Sequence, residues 1–255
     1  KVLPVACILT IAAAGSEGSA GSVISNREVG IKEGIRTNDL LRPVLSILNP
    51  ELTMTLPAYQ TACGVTDMFI HLTERYFTNT PDVSLTDEMI EGLMRTILKY
   101  GIVCVKEPDN YNARAQIMWA GTLAHNDLCG VGREQDWTSH HIQRRIGAKY
   151  DSAHGAGLAT IFPAWAQYVY KHDVPRFVRF ATKVMGVDND VFHPEEVALE
   201  GIRRIKAYFA SLGMPTTLSE LGVKEEDIQA LADTADGVYV PLSRDDIVKI
   251  YDLAR

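Results

Sequence analysis

Gly64-Val65-Thr66-Asp67-Met68-Phe69-Ile70-His71-Leu72-Thr73-Glu74 reads as helix, and it sets the character of the chain. At 3.6 residues per turn, Asp67 and His71 leave the same helix face. A carboxylate oxygen beside an imidazole nitrogen suits a divalent first-row metal. Two further imidazoles, His140 and His154, would complete a four-ligand protein site. Taken singly, an Asp and a His four apart are more often a solvated or capping pair than ligands. His193, before Pro194-Glu195-Glu196, reads as a loop residue, and His172 as a polar helix end. His154 differs in its setting, Ser152-Ala153-His154-Gly155-Ala156-Gly157, where small residues let backbone or ligand approach closely. The constellation points to a metal-assisted enzyme.

Outward from this run, helical periodicity dominates the C-terminal side. Helices are expected over residues 57–77, 86–100, 111–129, 137–150, 155–171, 175–185, 194–212, 224–235 and 244–253. The second should start near a Thr86/Asp87 cap. On the N-terminal side the signals are strand and turn: strands over 5–11, 22–25 and 44–48, with a Gly/Ser-rich turn over 15–21. The fold class expected is therefore mainly α, a multi-helix domain preceded by β-strands. The division falls into a strand-and-loop segment, 1–55, and a helical domain, 56–255. The run Lys1-Val2-Leu3-Pro4-Val5-Ala6-Cys7-Ile8-Leu9 mimics a signal peptide, but a short strand entering a tight loop explains it as well. The absence of an initiator Met suggests that the chain begins partway through a larger protein.

The 255 residues, 46% hydrophobic with net charge −7, suffice for a substantial core. A dispersed, acidic charge balance argues against a nucleic-acid partner. No stretch reaches the roughly 18–20 apolar residues of a membrane span. Cys7, Cys63, Cys104 and Cys129 are widely spaced in apolar surroundings, as expected of free thiols in a reducing cytoplasm.

Several ordered blocks resemble a known family, the iron-containing, metal-dependent alcohol dehydrogenases, and within it the butanol dehydrogenase branch. The blocks are Ala14-Gly15-Ser16-Glu17; Asn49-Pro50 with Thr55-Leu56-Pro57; Asp67 with His71; and Lys106-Glu107-Pro108-Asp109-Asn110-Tyr111 with Arg114. They continue through Trp119-Ala120-Gly121-Thr122, Gln135-Asp136-Trp137, His140, and Ala153-His154-Gly155-Ala156-Gly157-Leu158-Ala159 with Phe162-Pro163-Ala164-Trp165. The resemblance implies a dehydroquinate-synthase-like fold. In it an N-terminal α/β domain holds most of NAD or NADP, and a C-terminal helical domain holds a divalent metal, Fe or Zn. This chain looks like the second half plus linking strands, so the cofactor domain would be missing and the piece alone inactive. By the same resemblance Asp67, His71, His140 and His154 are the metal ligands. Thr10, Gly15, Ser16, Lys32 and Leu56 line the cofactor cleft. The substrate is a small alcohol or aldehyde, and the assembly is a homodimer.

Two positions depart from the family pattern. Arg144 stands where a His near the nicotinamide is usual, and a guanidinium cannot relay a proton as imidazole can. It either sets a fixed charge beside the site or swings to solvent. Ala14 stands where a Thr commonly precedes Gly-Ser-Glu. These departures keep a second function in view: a non-catalytic, metal-binding helical remnant. Within the fold, a polyol dehydrogenase or a dehydroquinate-synthase-like lyase is disfavoured by the extra ligand His71. Trp119, Trp137, His125, Asn126 and Cys129 are candidate pocket residues.

Overall fold

Helix α1 (Ala58–Tyr76) is the axis of the fold, and every residue on it from Thr61 to Tyr76 is buried. A helix buried on all sides needs neighbours on all sides. Helices α2 (Ser84–Lys106), α3 (Tyr111–His125) and α5 (His154–Val169) supply them. Helices α4 (Thr138–Tyr150) and α9 (Arg244–Leu253) lie on α5, while α6 (Val174–Lys183) packs on α7 (Pro194–Ser211). A short helix, α8 (Ile228–Leu231), precedes α9. The computed structural model describes residues 3–26, 28–29, 31–36, 39–233 and 237–255. Lys1 and Val2, which open the signal-like run, and Ala235, which was to end a helix, lie outside the described residues.

Aromatic packing joins the axis to the outer layer. Phe77, just past α1, stacks on Phe177 with ring centres 4.4 Å apart, and Phe69 meets Phe180 and Phe209 edge-on. Each fully buried Phe contributes roughly 1.5–3 kcal/mol relative to exposure. Local signals set the helix ends. Asn110 Oδ1 accepts from the Ala113 N–H at 3.1 Å, and Asp173 Oδ1 from that of Arg176 at 3.1 Å. Ser243 and Asp246 form a reciprocal capping box on α9.

Strand β1 (Ala6–Ile8) pairs in parallel with β4 (Leu45–Ile47), and β2 (Gly21–Asn26) pairs antiparallel with β3 (Ile31–Arg36). The mainly helical class with preceding strands is as the sequence indicates. Strand β3 was not expected. Ile31-Lys32-Glu33-Gly34-Ile35 lacks a clean apolar face, and the strand is held by its ladder to an equally exposed β2. Three helices differ from expectation. The second begins at Ser84, so Asp87 lies inside it, buried against Arg133 and Arg176 rather than capping it. The helix over 111–129 ends at His125 and is followed by a separate turn, Leu128–Gly130. The helix over 224–235 shrinks to a turn, Glu225–Asp227, and α8, which stops where Ala232 turns extended. Arg244 takes the carbonyls of Gln229 and Ala232 at that end. Among the described residues, no helix is long and apolar enough to cross a membrane.

Candidate metal centre

The buried axis carries the first two candidate ligands, and two other elements bring the rest. Asp67 and His71 sit one turn apart on α1, His140 lies in the first turn of α4, and His154 is the first residue of α5. Asp67 Oδ1 is 3.4 Å from His71 Nε2, 3.5 Å from His140 Nε2 and 3.5 Å from His154 Nε2. Three imidazoles from three helices thus face one carboxylate oxygen.

These separations are long for hydrogen bonds. Ligand atoms about 2.1 Å from a common tetrahedral centre stand about 3.4 Å apart, so the spacing fits a shared ion. Asp67 Oδ1 and His140 Nε2 are buried without a hydrogen-bond partner, which also fits donors held for a cation. The tightest group is Asp67, His140 and His154, whose donor atoms all lie within 4.8 Å of one another. His71 stays outside that group, its ring stacked between His140 and His125 at centre distances of 5.0 and 4.1 Å.

A second layer orients the rings. The Nδ1–H of His140 donates to Glu74 Oε2, and the His140 backbone N–H donates to Glu74 Oε1 at 3.1 Å. The Nδ1–H of His154 donates to Gln143 Oε1 at 2.5 Å. Both tautomers are thereby fixed with Nε2 toward Asp67. Arg75 Nη1 donates to the His71 carbonyl at 2.8 Å, and its guanidinium lies over Trp137. Trp137 meets the edges of His71, His125 and His140.

The electrostatics follow from crowding in a dry site. Burial would raise the Asp67 carboxyl, but His71, His154 and His140 outweigh it and hold it far below the usual carboxylate range. Burial opposes charge on His140, yet Glu74 and Asp67 lift its pKa to about 9. Burial lowers His71 well below the imidazole range and His154 to about 4. His125 falls to about 3, by burial and then by Arg75.

The expected cofactor-cleft residues come from three segments. Thr10, Gly15 and Ser16 lie on the loop between β1 and β2, Lys32 on β3, and Leu56 just before α1. The loop rests directly on α1: a Cβ on Gly64 would lie 2.3 Å from the Ala12 carbonyl oxygen. Arg144 has not swung to solvent: its half-buried guanidinium lies against Gly34 of β3, and its charge bears on His154 and Glu74. Trp119 is 55% exposed on α3. His193 pairs with Asp190 and His172 with Asn79, away from the cluster. Sequence reading gave no role to Glu74 or Gln143. Their signal was spacing: Glu74 follows Asp67 by seven and His71 by three, and Gln143 follows His140 by three.

Cys63, Cys104 and Cys129 are buried and Cys7 half-buried, all as free thiols. Burial raises the Cys63, Cys104 and Cys129 thiols above their ordinary range.

Comparison with known proteins agrees with this architecture. The chain is 37% identical to NADH-dependent butanol dehydrogenase A of Clostridium acetobutylicum, over 98% of its own length and 66% of that protein's. It is 36% identical to the NADPH-dependent aldehyde reductase YqhD of Escherichia coli, over 91% of this chain and 59% of that one. The crystal structure of NADH-dependent butanol dehydrogenase A from Thermotoga maritima superposes with a TM-score of 0.94 at 36% identity, covering 100% of this chain and 66% of its own. The chain thus spans about two thirds or less of the relatives it matches. Residues 61–254 match the family described as Fe-containing alcohol dehydrogenase, C-terminal, and the chain belongs to that family.

Proposed function

We propose that this chain is the metal- and substrate-binding part of an NAD(P)H-dependent alcohol dehydrogenase or aldehyde reductase. The reaction is hydride transfer between a nicotinamide and a small primary alcohol or aldehyde. The observation that carries the reading is the single oxygen, Asp67 Oδ1, faced by three imidazole nitrogens at 3.4–3.5 Å. Asp67, His71, His140 and His154 are the proposed ligands of Fe or Zn, since three imidazoles and a carboxylate suit either ion. Such an ion supplies Lewis acidity toward the substrate oxygen.

The chain's own groups do the positioning. Glu74 and Gln143 fix two imidazoles in the tautomer that offers Nε2. Trp137 and His125 wall the His71 side against water. Thr10, Gly15, Ser16, Lys32 and Leu56 are the proposed contacts to NAD or NADP, whose remaining contacts would come from a preceding α/β domain that residues 1–55 either belong to or link. We take the assembly as a homodimer, in line with the resemblance, and its compartment as the cytoplasm, in line with the free thiols.

The test is metal content by mass spectrometry on protein purified without chelator, beside a His140→Ala variant. Near one divalent ion per chain, lost in the variant, supports the reading and leads to NADH and NADPH oxidation assays on a chain that includes the preceding domain. No metal in either sample after reloading with iron and zinc overturns it: the site is then not competent in this chain, which is an inactive remnant. That alternative is the one the Arg144 replacement favours.

A further inference from the structure

A cavity of about 380 Å³ lies beneath β3, walled by α4, by Leu231 at the end of α8, and by α9. None of Asp67, His71, His140 or His154 lines it. Two cations do: Lys32 from β3 and Arg144 from α4. Neither has an ion-pair partner among the described residues, and Arg144 Nε is buried with no hydrogen-bond partner. The carboxylate that bears on Arg144 is Glu74, which His140 already engages.

The other charged lining residues leave this pair uncompensated. Arg145 is neutralised by Asp233 at 2.5 Å. Glu33 lines the cavity too, exposed at its edge, and forms no ion pair with either cation among the described residues. Gly34 makes room for the guanidinium, because a Cβ there would lie 2.8 Å from Arg144 Nη2. Below the cations the floor is apolar: Ile142, Ile247 and the ring of Tyr251 are all buried. The Tyr251 hydroxyl is a second buried polar atom without a partner.

A desolvated guanidinium without a counter-ion is a cost to the fold. A planar oxyanion removes that cost, since a carboxylate matches the two parallel N–H donors of Arg. The floor then adds apolar contact that an inorganic anion cannot use. We propose that the cavity beneath β3 binds a short-chain carboxylate, its oxygens held by Arg144 and Lys32 and its hydrocarbon tail lying on Ile142 and Ile247. None of the proposed metal ligands lines the cavity, but it shares Lys32 with the proposed cofactor contacts, so butyrate is titrated with no nicotinamide present.

Isothermal titration of the 255-residue chain with acetate, butyrate and inorganic phosphate tests this. Butyrate is expected to bind saturably at one per chain, several-fold tighter than acetate and than phosphate. Arg144→Gln should weaken butyrate about tenfold and Lys32→Gln several-fold. Arg203→Gln, which removes an exposed cation on α7, should leave it unchanged. Circular dichroism shows whether each variant folds; if Arg144→Gln does not, Lys32→Gln carries the test. Absence of saturable butyrate binding overturns the proposal, as does an Arg203→Gln effect equal to that of Lys32→Gln. Phosphate binding as tightly as butyrate overturns the tail assignment.

Discussion

Glu74 grips His140 twice, taking the ring Nδ1–H with one carboxylate oxygen and the backbone N–H with the other. The two residues come from different helices, so this contact ties the orientation of the imidazole to the docking of α4 on α1. Glu74→Gln keeps the size of the side chain and removes its charge. We expect metal affinity to fall roughly 10- to 100-fold with little loss of helix content. With its pKa at about 9, His140 holds a proton at pH 7 in the metal-free chain, and metal uptake must displace it. Wild type should therefore release about one proton per ion, and Glu74→Gln less. Metal titrations by calorimetry in buffers of different ionisation enthalpy measure both quantities; equal proton release by the two proteins would remove Glu74 from this role.

Gly155 abuts α1 without clearance: a Cβ there would lie 2.2 Å from the Cys63 carbonyl oxygen and 2.6 Å from its Cα. Backbone cannot yield as a flexible side chain can. Gly155→Ala should push α5 away from α1 and carry His154 off Asp67. A cost of roughly 1–3 kcal/mol is expected, with reduced metal binding beside it. Thermal melts and metal content on the same sample check this; a variant as stable and as well loaded as wild type would contradict the close packing.

Asp136 is raised to about pH 6 by burial, with Glu74 adding to the effect, although Thr138, Tyr239 and Val238 donate hydrogen bonds to its Oδ1. Its Oδ2 is buried and unpartnered. The folded chain therefore holds this proton more tightly than the unfolded chain, whose ordinary value is 3.8. Its stabilising contribution is full below about pH 4 and is lost as pH rises through 6. Asp136→Asn keeps the Oδ1 acceptor and does not titrate. Relative to wild type, it should gain stability between pH 4.5 and pH 7. Urea midpoints at those two values decide the matter, a constant difference counting against the raised carboxyl.

Asp87 is buried between Arg133 Nη2 at 2.9 Å and the two terminal nitrogens of Arg176 at 2.7 and 3.0 Å. Asp87→Ala would strand both guanidinium groups, at a cost of about 3–5 kcal/mol. Chemical denaturation measures it. A loss under 1 kcal/mol would mean that the surrounding carbonyls suffice for the two cations.

Helix α9, which buries one stripe, and α1, which is buried on all sides, were both legible in the sequence. Residues 244–253 match α9 residue for residue, and residues 57–77 exceed α1 by one at each end. Strand β3 was not legible, because a strand exposed on its surfaces leaves no alternation to read. Nor was the early stop of α8, since it depends on Arg244 reaching back to carbonyls twelve and fifteen residues away. At the candidate site, i and i+4 spacing made Asp67 and His71 visible as a pair. Only the packing of α4 and α5 onto α1 brings His140 and His154 to the same oxygen. Glu74 and Gln143 escaped notice because their importance comes from what they hold.

Because α1 is buried along nearly all its length, the candidate centre has no scaffold of its own apart from the protein's interior. Substitutions that loosen that interior will surface as lost chemistry before they surface as unfolding. An ion seated there would in turn favour the folded chain by mass action. Change at this helix is thus doubly constrained, once by the packing around it and once by the two candidate ligands it carries.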